Sequence, residues 1–136
     1  MAAEQPVVLG PGEGRRYEMG PISAVFKADG AETGGRFSIS EWWLEPRCEG
    51  PGAHRHDDND EIFYVLEGEA SILVGADWRR LPKGSLCVIP RGVMHDFRNE
   101  GATRMGLLNV FLPGPFETMM PAIVDWFRDN PARRMK

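Results

Sequence analysis

Apolar residues occur along this chain in short runs, most of them alternating with polar residues, and glycine or proline separates one run from the next. The 16 glycines and 11 prolines favour many short strands over long helices, because both residues interrupt regular structure. Alternation with a period of two predicts half-buried strands, and strands at this spacing are typical of a β-sandwich or β-barrel. The predicted strands are Ile22–Lys27, Arg36–Glu45, Ala53–His56, Glu61–Leu66, Ala70–Val74, Asp77–Leu81, Leu86–Ile89, His95–Arg98 and Thr103–Leu112.

The two ends of the chain differ from this central pattern. Residues 1–20 are rich in glycine and proline and are predicted to form an arm or an edge strand. Residues 117–129 are the one helix candidate, because Pro121 falls within the first turn, where an amide lacks a helical partner anyway. We expect the apolar stripe of this helix to pack on the strands rather than to form a cofactor or partner site. The stripe comprises Met120, Ile123, Val124 and Phe127.

Composition and charge narrow the class of protein. A chain of 136 residues is predicted to form one domain, and its net charge of −4 provides no basic field for nucleic acid. Two cysteines form no disulfide framework, which favours a reduced, cytoplasmic protein. The N-terminal residues have neither a basic start nor a long apolar run, so we expect no signal peptide and no membrane span.

The candidate chemistry lies in the histidines, of which the chain has only three. His54 and His56 are two residues apart in a predicted strand, so their side chains should emerge on the same face. Glu61 follows after a short polar connection that can bring its carboxylate back toward them. His95 begins a later strand, which a closed sheet could place opposite the pair. The four residues together suggest a metal site.

Two longer motifs contain these residues. The run from Gly52 to Gly68, GAHRHDDNDEIFYVLEG, resembles the first cupin motif, H-x-H-x(3,4)-E-x(6)-G. The run from Gly84 to Asn99, GSLCVIPRGVMHDFRN, resembles the second, G-x(5)-P-x-G-x(2)-H-x(3)-N, at every fixed position. One departure occurs, since Cys48 stands where the first motif usually opens with glycine.

The resemblance implies an all-β fold, a double-stranded β-helix or jelly-roll barrel, with one C-terminal α-helix. It implies an arm at residues 1–20, a cupin barrel at 21–115 and a C-terminal helix at 116–136 packed on the barrel, all in one domain. It also implies one divalent transition metal per chain, Fe, Mn, Ni, Co or Zn, since three nitrogens and one oxygen suit these ions. The ligands carried over from the motifs are His54, His56, Glu61 and His95.

Strand alternation predicts further residues around the metal. Phe63 and Val65 continue the face of Glu61, and Phe97 continues that of His95, so these three should line the pocket. Glu41, among apolar neighbours, is either a desolvated acid–base group or a charge that faces outward. Asn109 either orients a substrate or satisfies a backbone group. Both are candidate catalytic residues.

The cupin resemblance suggests an oxygenase like quercetin dioxygenase, acting on a small molecule that chelates the metal through two adjacent oxygens. The alternatives are an isomerase or lyase, and a non-catalytic cupin that binds or senses a small molecule. We expect a homodimer, because Ile62, Tyr64 and Leu66 are apolar on the face opposite Glu61 and have to be covered by the helix, the arm or another chain.

Overall fold

Nine antiparallel strands account for most of the regular structure in the computed structural model, which describes residues 5–136. The strands are β1 (Arg15–Met19), β2 (Ile22–Ala28), β3 (Ser38–Leu44), β4 (Asp60–Glu67), β5 (Glu69–Val74), β6 (Asp77–Pro82), β7 (Leu86–Ile89), β8 (His95–Arg98) and β9 (Met105–Leu112). The helices are α1 (Gly30–Thr33), a 3-10 turn (Glu117–Met119) and α2 (Met120–Asp129). None of the helices in residues 5–136 has the length and apolar character of a membrane-spanning segment.

The strands form two sheets that share one core. The larger sheet has six strands in the order β1-β2-β3-β9-β4-β7, and the smaller has three in the order β6-β5-β8. Apolar side chains from both sheets meet in a single buried cluster, as expected when the inner faces of two sheets pack together. The crossed strand order is that of a jelly roll, which confirms the predicted fold class, although the sheets do not close into a continuous barrel.

Alternation decides which side chains of a strand reach the core. In β3 the buried residues are Ser38, Ser40, Trp42 and Leu44, and in β9 they are Met105, Leu107, Asn109 and Phe111, together with Gly106. Ser40 faces Asn109 in the register of these two strands. The small Ser40 side chain accepts a hydrogen bond from Trp42 Nε1 at 3.0 Å, which satisfies the indole inside the core.

Most predicted elements are present, with their ends shifted by a few residues. The predicted arm includes the edge strand β1, and residues 1–4 lie outside the described part of the chain. The turn at Gly68 is confirmed: this residue has φ of 69°, and an added Cβ would lie 2.5 Å from the Arg104 carbonyl oxygen. The prediction of a strand at Ala53–His56 is wrong, because only His54 pairs, through an isolated bridge to His95.

Candidate metal centre

The loop that carries His54 and His56 is fixed against β8 by backbone contacts. The His54 and His95 main chains exchange two hydrogen bonds, at 2.9 and 2.8 Å. Gly50 lies so close to this strand that an added Cβ would fall 1.7 Å from the Phe97 carbonyl oxygen. Asp96, which is buried, accepts a hydrogen bond from the Gly52 amide at 3.1 Å. A loop can therefore place the first two histidines where a strand was expected.

Four side chains converge inside the fold, as the sequence predicted for the metal ligands. Their ligating atoms all lie within 4.8 Å of one another, and the four residues are His54, His56, Glu61 and His95. The Glu61 carboxylate lies between two imidazoles, with Oε1 3.0 Å from His56 Nε2 and Oε2 3.3 Å from His95 Nε2. Glu61 and His95 are buried, whereas His54 and His56 are partly exposed toward a cavity.

Backbone carbonyls orient two of the imidazole rings. Nδ1 of His54 lies 2.7 Å from the Gly52 carbonyl oxygen, and Nδ1 of His95 lies 2.9 Å from that of Val93. A carbonyl only accepts hydrogen bonds, so each Nδ1 carries the proton and each Nε2 keeps a free lone pair. This is the arrangement found around histidine ligands of metals, where the outer hydrogen bond selects the tautomer.

The electrostatics of the cluster favour an ionised carboxylate. Burial by itself raises the pKa of Glu61, but its interactions with His56 and His95 outweigh burial and lower that pKa to about 2. Burial is the largest single influence on His95 and lowers its pKa, but the interactions with Glu61 and with the Val93 carbonyl together outweigh burial and raise the His95 pKa. Burial lowers the pKa of His54, which keeps that imidazole neutral.

The residues present fit a divalent transition metal. Nε2 of His56 and Nε2 of His95 are buried and form no hydrogen bond, although each faces a Glu61 oxygen. Buried polar nitrogens rarely lack a partner, and an ion among the four side chains would supply one to both. Three imidazole nitrogens and one carboxylate oxygen suit borderline first-row ions.

A cavity of about 270 Å³ opens onto the cluster. Phe63 and Phe97 line it, as expected, whereas Val65 is buried in the core and is not among the lining residues. Asn109 also lines the cavity, and its Nδ2 donates to Glu61 Oε2 at 3.4 Å. The amide thus contacts a predicted ligand directly. From the sequence, Asn109 could either orient a substrate or satisfy a backbone group.

The structure places Glu41 away from the cluster. It lies on the outer face of β3, because the inner face of this strand carries Ser40 and Trp42. Its carboxylate accepts a hydrogen bond from Trp43 Nε1 at 3.2 Å and lies 3.9 Å from Lys27 Nζ. This environment corresponds to the outward-facing alternative, and Glu41 does not line the cavity.

Sequence reasoning missed two parts of the cavity wall. Trp42 lines it from β3, although its neighbours Ser38 and Ser40 gave that face a polar pattern. The C-terminal segment supplies a second group of lining residues, beyond the expected packing of its stripe on the strands. These residues are Phe116, Met119, Ile123, Trp126 and Phe127. The signal available in the sequence was Trp126, a large aromatic residue outside the predicted stripe; in the structure it is exposed.

Comparison with known proteins identifies the family of this chain and solved structures that share its fold. A family model described as "Cupin domain" matches residues 41–111, more than half of the chain. Quercetin 2,3-dioxygenase of Bacillus subtilis is 29% identical over 126 residues, covering 88% of this chain and 35% of that protein. The chain spans about a third to a half of the length of the curated relatives it matches.

Two solved structures illustrate the shared fold. A predicted oxalate decarboxylase from Thermotoga maritima has a TM-score of 0.69 at 20% identity, covering 81% of this chain and 100% of that one. An RmlC-like cupin from Shewanella frigidimarina has a TM-score of 0.69 at 19% identity, covering 85% and 96%. At these identities the likeness extends to the fold alone.

Proposed function

Because this chain belongs to the cupin domain family, we propose that it is a metal-dependent oxygenase acting on a small organic molecule. The metal would be one divalent first-row ion per chain, held by the three histidines and Glu61. The observation that carries the proposal is the pair of buried imidazole nitrogens without hydrogen bonds, turned toward an ionised carboxylate beside an open cavity. A metal site with protein ligands on one side and a cavity on the other leaves room for a substrate to reach the ion, which suits catalysis.

The metal, the side chains and two backbone carbonyls have different roles at this site. When bound, the metal would act as a Lewis acid and would orient a substrate that offers two adjacent oxygens, such as an enediol, a catechol or a 3-hydroxyflavone. Asn109 holds the Glu61 carboxylate through its amide, and the Gly52 and Val93 carbonyls hold two imidazole rings. Aromatic side chains line the cavity beside the polar cluster, and their apolar surroundings strengthen the electrostatic interactions there.

The relative from Bacillus subtilis supports oxygenase chemistry over the alternatives. An isomerase or lyase needs an acid–base pair that is free to act on the substrate. Among the described residues that line the cavity, the titratable side chains are those of the ligand cluster itself. A non-catalytic binding role is the remaining alternative, and turnover distinguishes it from the oxygenase.

Dioxygen consumption tests the proposal. Protein loaded anaerobically with Fe(II) would be mixed with a panel of catechols and flavonols, and parallel samples would carry Mn(II), Co(II), Ni(II) or Zn(II). We expect dioxygen uptake matched by loss of one substrate, and no uptake above background by the His95→Ala variant. Tight binding of a chelating compound with no uptake on any metal would instead support the binding role.

We also propose that the protein is a homodimer that pairs through the outer face of its larger sheet. Tyr64, Leu86 and Val88 are exposed there at 42%, 63% and 55%, and Leu86 pairs with Tyr64 in the register of β4 and β7. Because β7 is an edge strand, its exposed apolar side chains and unpaired backbone groups favour a second copy. Light scattering at micromolar concentration should give a dimer mass, and Leu86→Glu should give a monomer; a monomeric parent contradicts the proposal.

A further inference from the structure

The C-terminal segment forms one complete wall of the cavity beside the cluster. Ile123 and Phe127 are four residues apart in α2, so they lie on one helix face, and Met119, the last residue of the 3-10 turn, precedes Ile123 by the same spacing. Phe127 is buried at 4% exposure, whereas Met119 and Trp126 are exposed at 41% and 49%. The wall therefore extends from the core to the mouth of the cavity, where two large apolar side chains remain accessible to a ligand.

Long-range contacts fix the start of this wall. Glu117 accepts hydrogen bonds from Arg15 Nε at 2.8 and 2.9 Å and from the Tyr17 hydroxyl at 2.7 Å. The buried Asp29 carboxylate accepts from the amides of Phe116 and Glu117 at 3.0 and 3.1 Å. Charge-assisted hydrogen bonds of this kind hold a segment in place more firmly than neutral ones.

The end of the segment is fixed as well. Beyond α2 the chain runs beside the loop that precedes the histidines, where the Glu49 amide donates to the Arg133 carbonyl at 2.9 Å and the Met135 amide donates to that of Arg47 at 2.7 Å. A segment held at both ends is preformed, so the surface that a ligand meets is already present in the free protein.

Outside the ligand cluster, the described lining of the cavity is mostly apolar and carries no charged side chain. Among the described residues lining the cavity there is no lysine or arginine. Outside the cluster the polar side-chain groups are the Asn109 amide and the indole N–H groups, and the Trp42 N–H is already donated to Ser40. An anionic group that packs against this segment would lose its hydration without gaining a cationic side chain.

We propose that residues 116–127 are the specificity-determining wall of this site and that they select an uncharged ligand with a flat apolar ring over phosphorylated or carboxylated molecules. The inference rests on the proposed function only in taking this cavity as the substrate site. Six aromatic side chains around it supply ring faces and edges for such a ligand, namely Trp42, Phe63, Phe97, Phe116, Trp126 and Phe127.

Calorimetric titration of chelator-treated, metal-free protein tests the wall without any contribution from the ion. The probes are 2-naphthol, 2-naphthoate and glucose 6-phosphate, because the first two share a ring system and differ in charge. We expect 2-naphthol to bind at least about tenfold more tightly than 2-naphthoate, and glucose 6-phosphate to give no measurable binding.

Two variants at exposed positions assign the selectivity to the wall. Trp126→Ala should weaken 2-naphthol binding by about tenfold through loss of ring contacts, and Met119→Lys should reverse the preference toward 2-naphthoate. The matched control is Trp78→Ala, which removes another exposed tryptophan from β6, outside the cavity, and should leave both affinities unchanged. Circular dichroism would verify that each variant is folded.

A parent protein that binds 2-naphthol no more tightly than 2-naphthoate overturns the inference. So do folded Trp126→Ala and Met119→Lys variants that bind both naphthalene probes with the affinities of the parent. Neither result depends on dioxygen consumption. Selective naphthol binding without turnover would therefore contradict the oxygenase proposal alone, and turnover without naphthol selectivity would contradict the wall alone.

Discussion

Acidification should release the metal, because protons and the ion compete for the same imidazole nitrogens. An imidazole has an ordinary pKa of about 6.5, and only its neutral form has a lone pair to donate. The pKa of His95 is raised by Glu61, so His95 is protonated at higher pH than an ordinary histidine as the pH falls. The pKa of His54 is lowered by burial, so its proton competes only at lower pH. Affinity is therefore highest above these pKa values and is lost below them.

The size of the effect follows from the number of protons displaced. Where one imidazole is protonated, the affinity should fall about tenfold per pH unit, and at the acid limit, with three protons displaced, on the order of a thousandfold per unit. Glu61, with a pKa of about 2, stays ionised above pH 5 and adds nothing to the slope in the accessible range. The slope should therefore steepen steadily from pH 8 to pH 5.

Competition against a chelator of known proton linkage measures this slope. Zn(II) affinity would be determined at intervals of half a pH unit between about pH 5 and 8. The Asp58→Asn variant is the matched control, because it removes an exposed acid next to the site that is not among the clustered ligand residues and should leave the slope unchanged. An affinity that stays flat after correction for the chelator would refute the histidines as ligands.

Three further outcomes test the site and its supports. Alanine at any one of the three histidines should reduce the metal recovered per chain in elemental analysis, whereas Glu41→Gln on the outer face should retain the parent content. Asn109→Leu should weaken Zn(II) binding by about tenfold in calorimetry, because it removes the amide that contacts Glu61. Asp29→Asn should lower the free energy of unfolding by about 1–3 kcal/mol in urea titrations, since it weakens two backbone hydrogen bonds; Asp125→Asn, exposed on α2, should change it little.

The sequence alone was enough to predict the cluster of candidate ligands. The spacing of the three histidines and Glu61 can be read from the sequence, and local residues such as Gly68, which has positive φ, indicate where the strands that carry them turn. Alternation along β4 places Glu61 on the inner face, and the pattern of burial confirms this. In β8 the three consecutive residues from His95 onward are all buried, so burial does not distinguish the two faces of that strand. The predicted strand at 53–56 is a loop, but two backbone hydrogen bonds between His54 and His95 still bring His54 next to His95.

Only the tertiary structure decided which residues complete the cavity. The inner face of β3 carries Ser38 and Ser40 beside Trp42, and its outer face carries apolar residues around Glu41, so hydrophobicity did not distinguish the two faces. The path of the C-terminal segment depends on Glu117, whose partners Arg15 and Tyr17 lie 102 and 100 residues away in sequence. Local periodicity specifies that a helix forms and which face is apolar. Where the helix packs is determined by contacts between distant residues, because those contacts exist only after the two sheets have assembled.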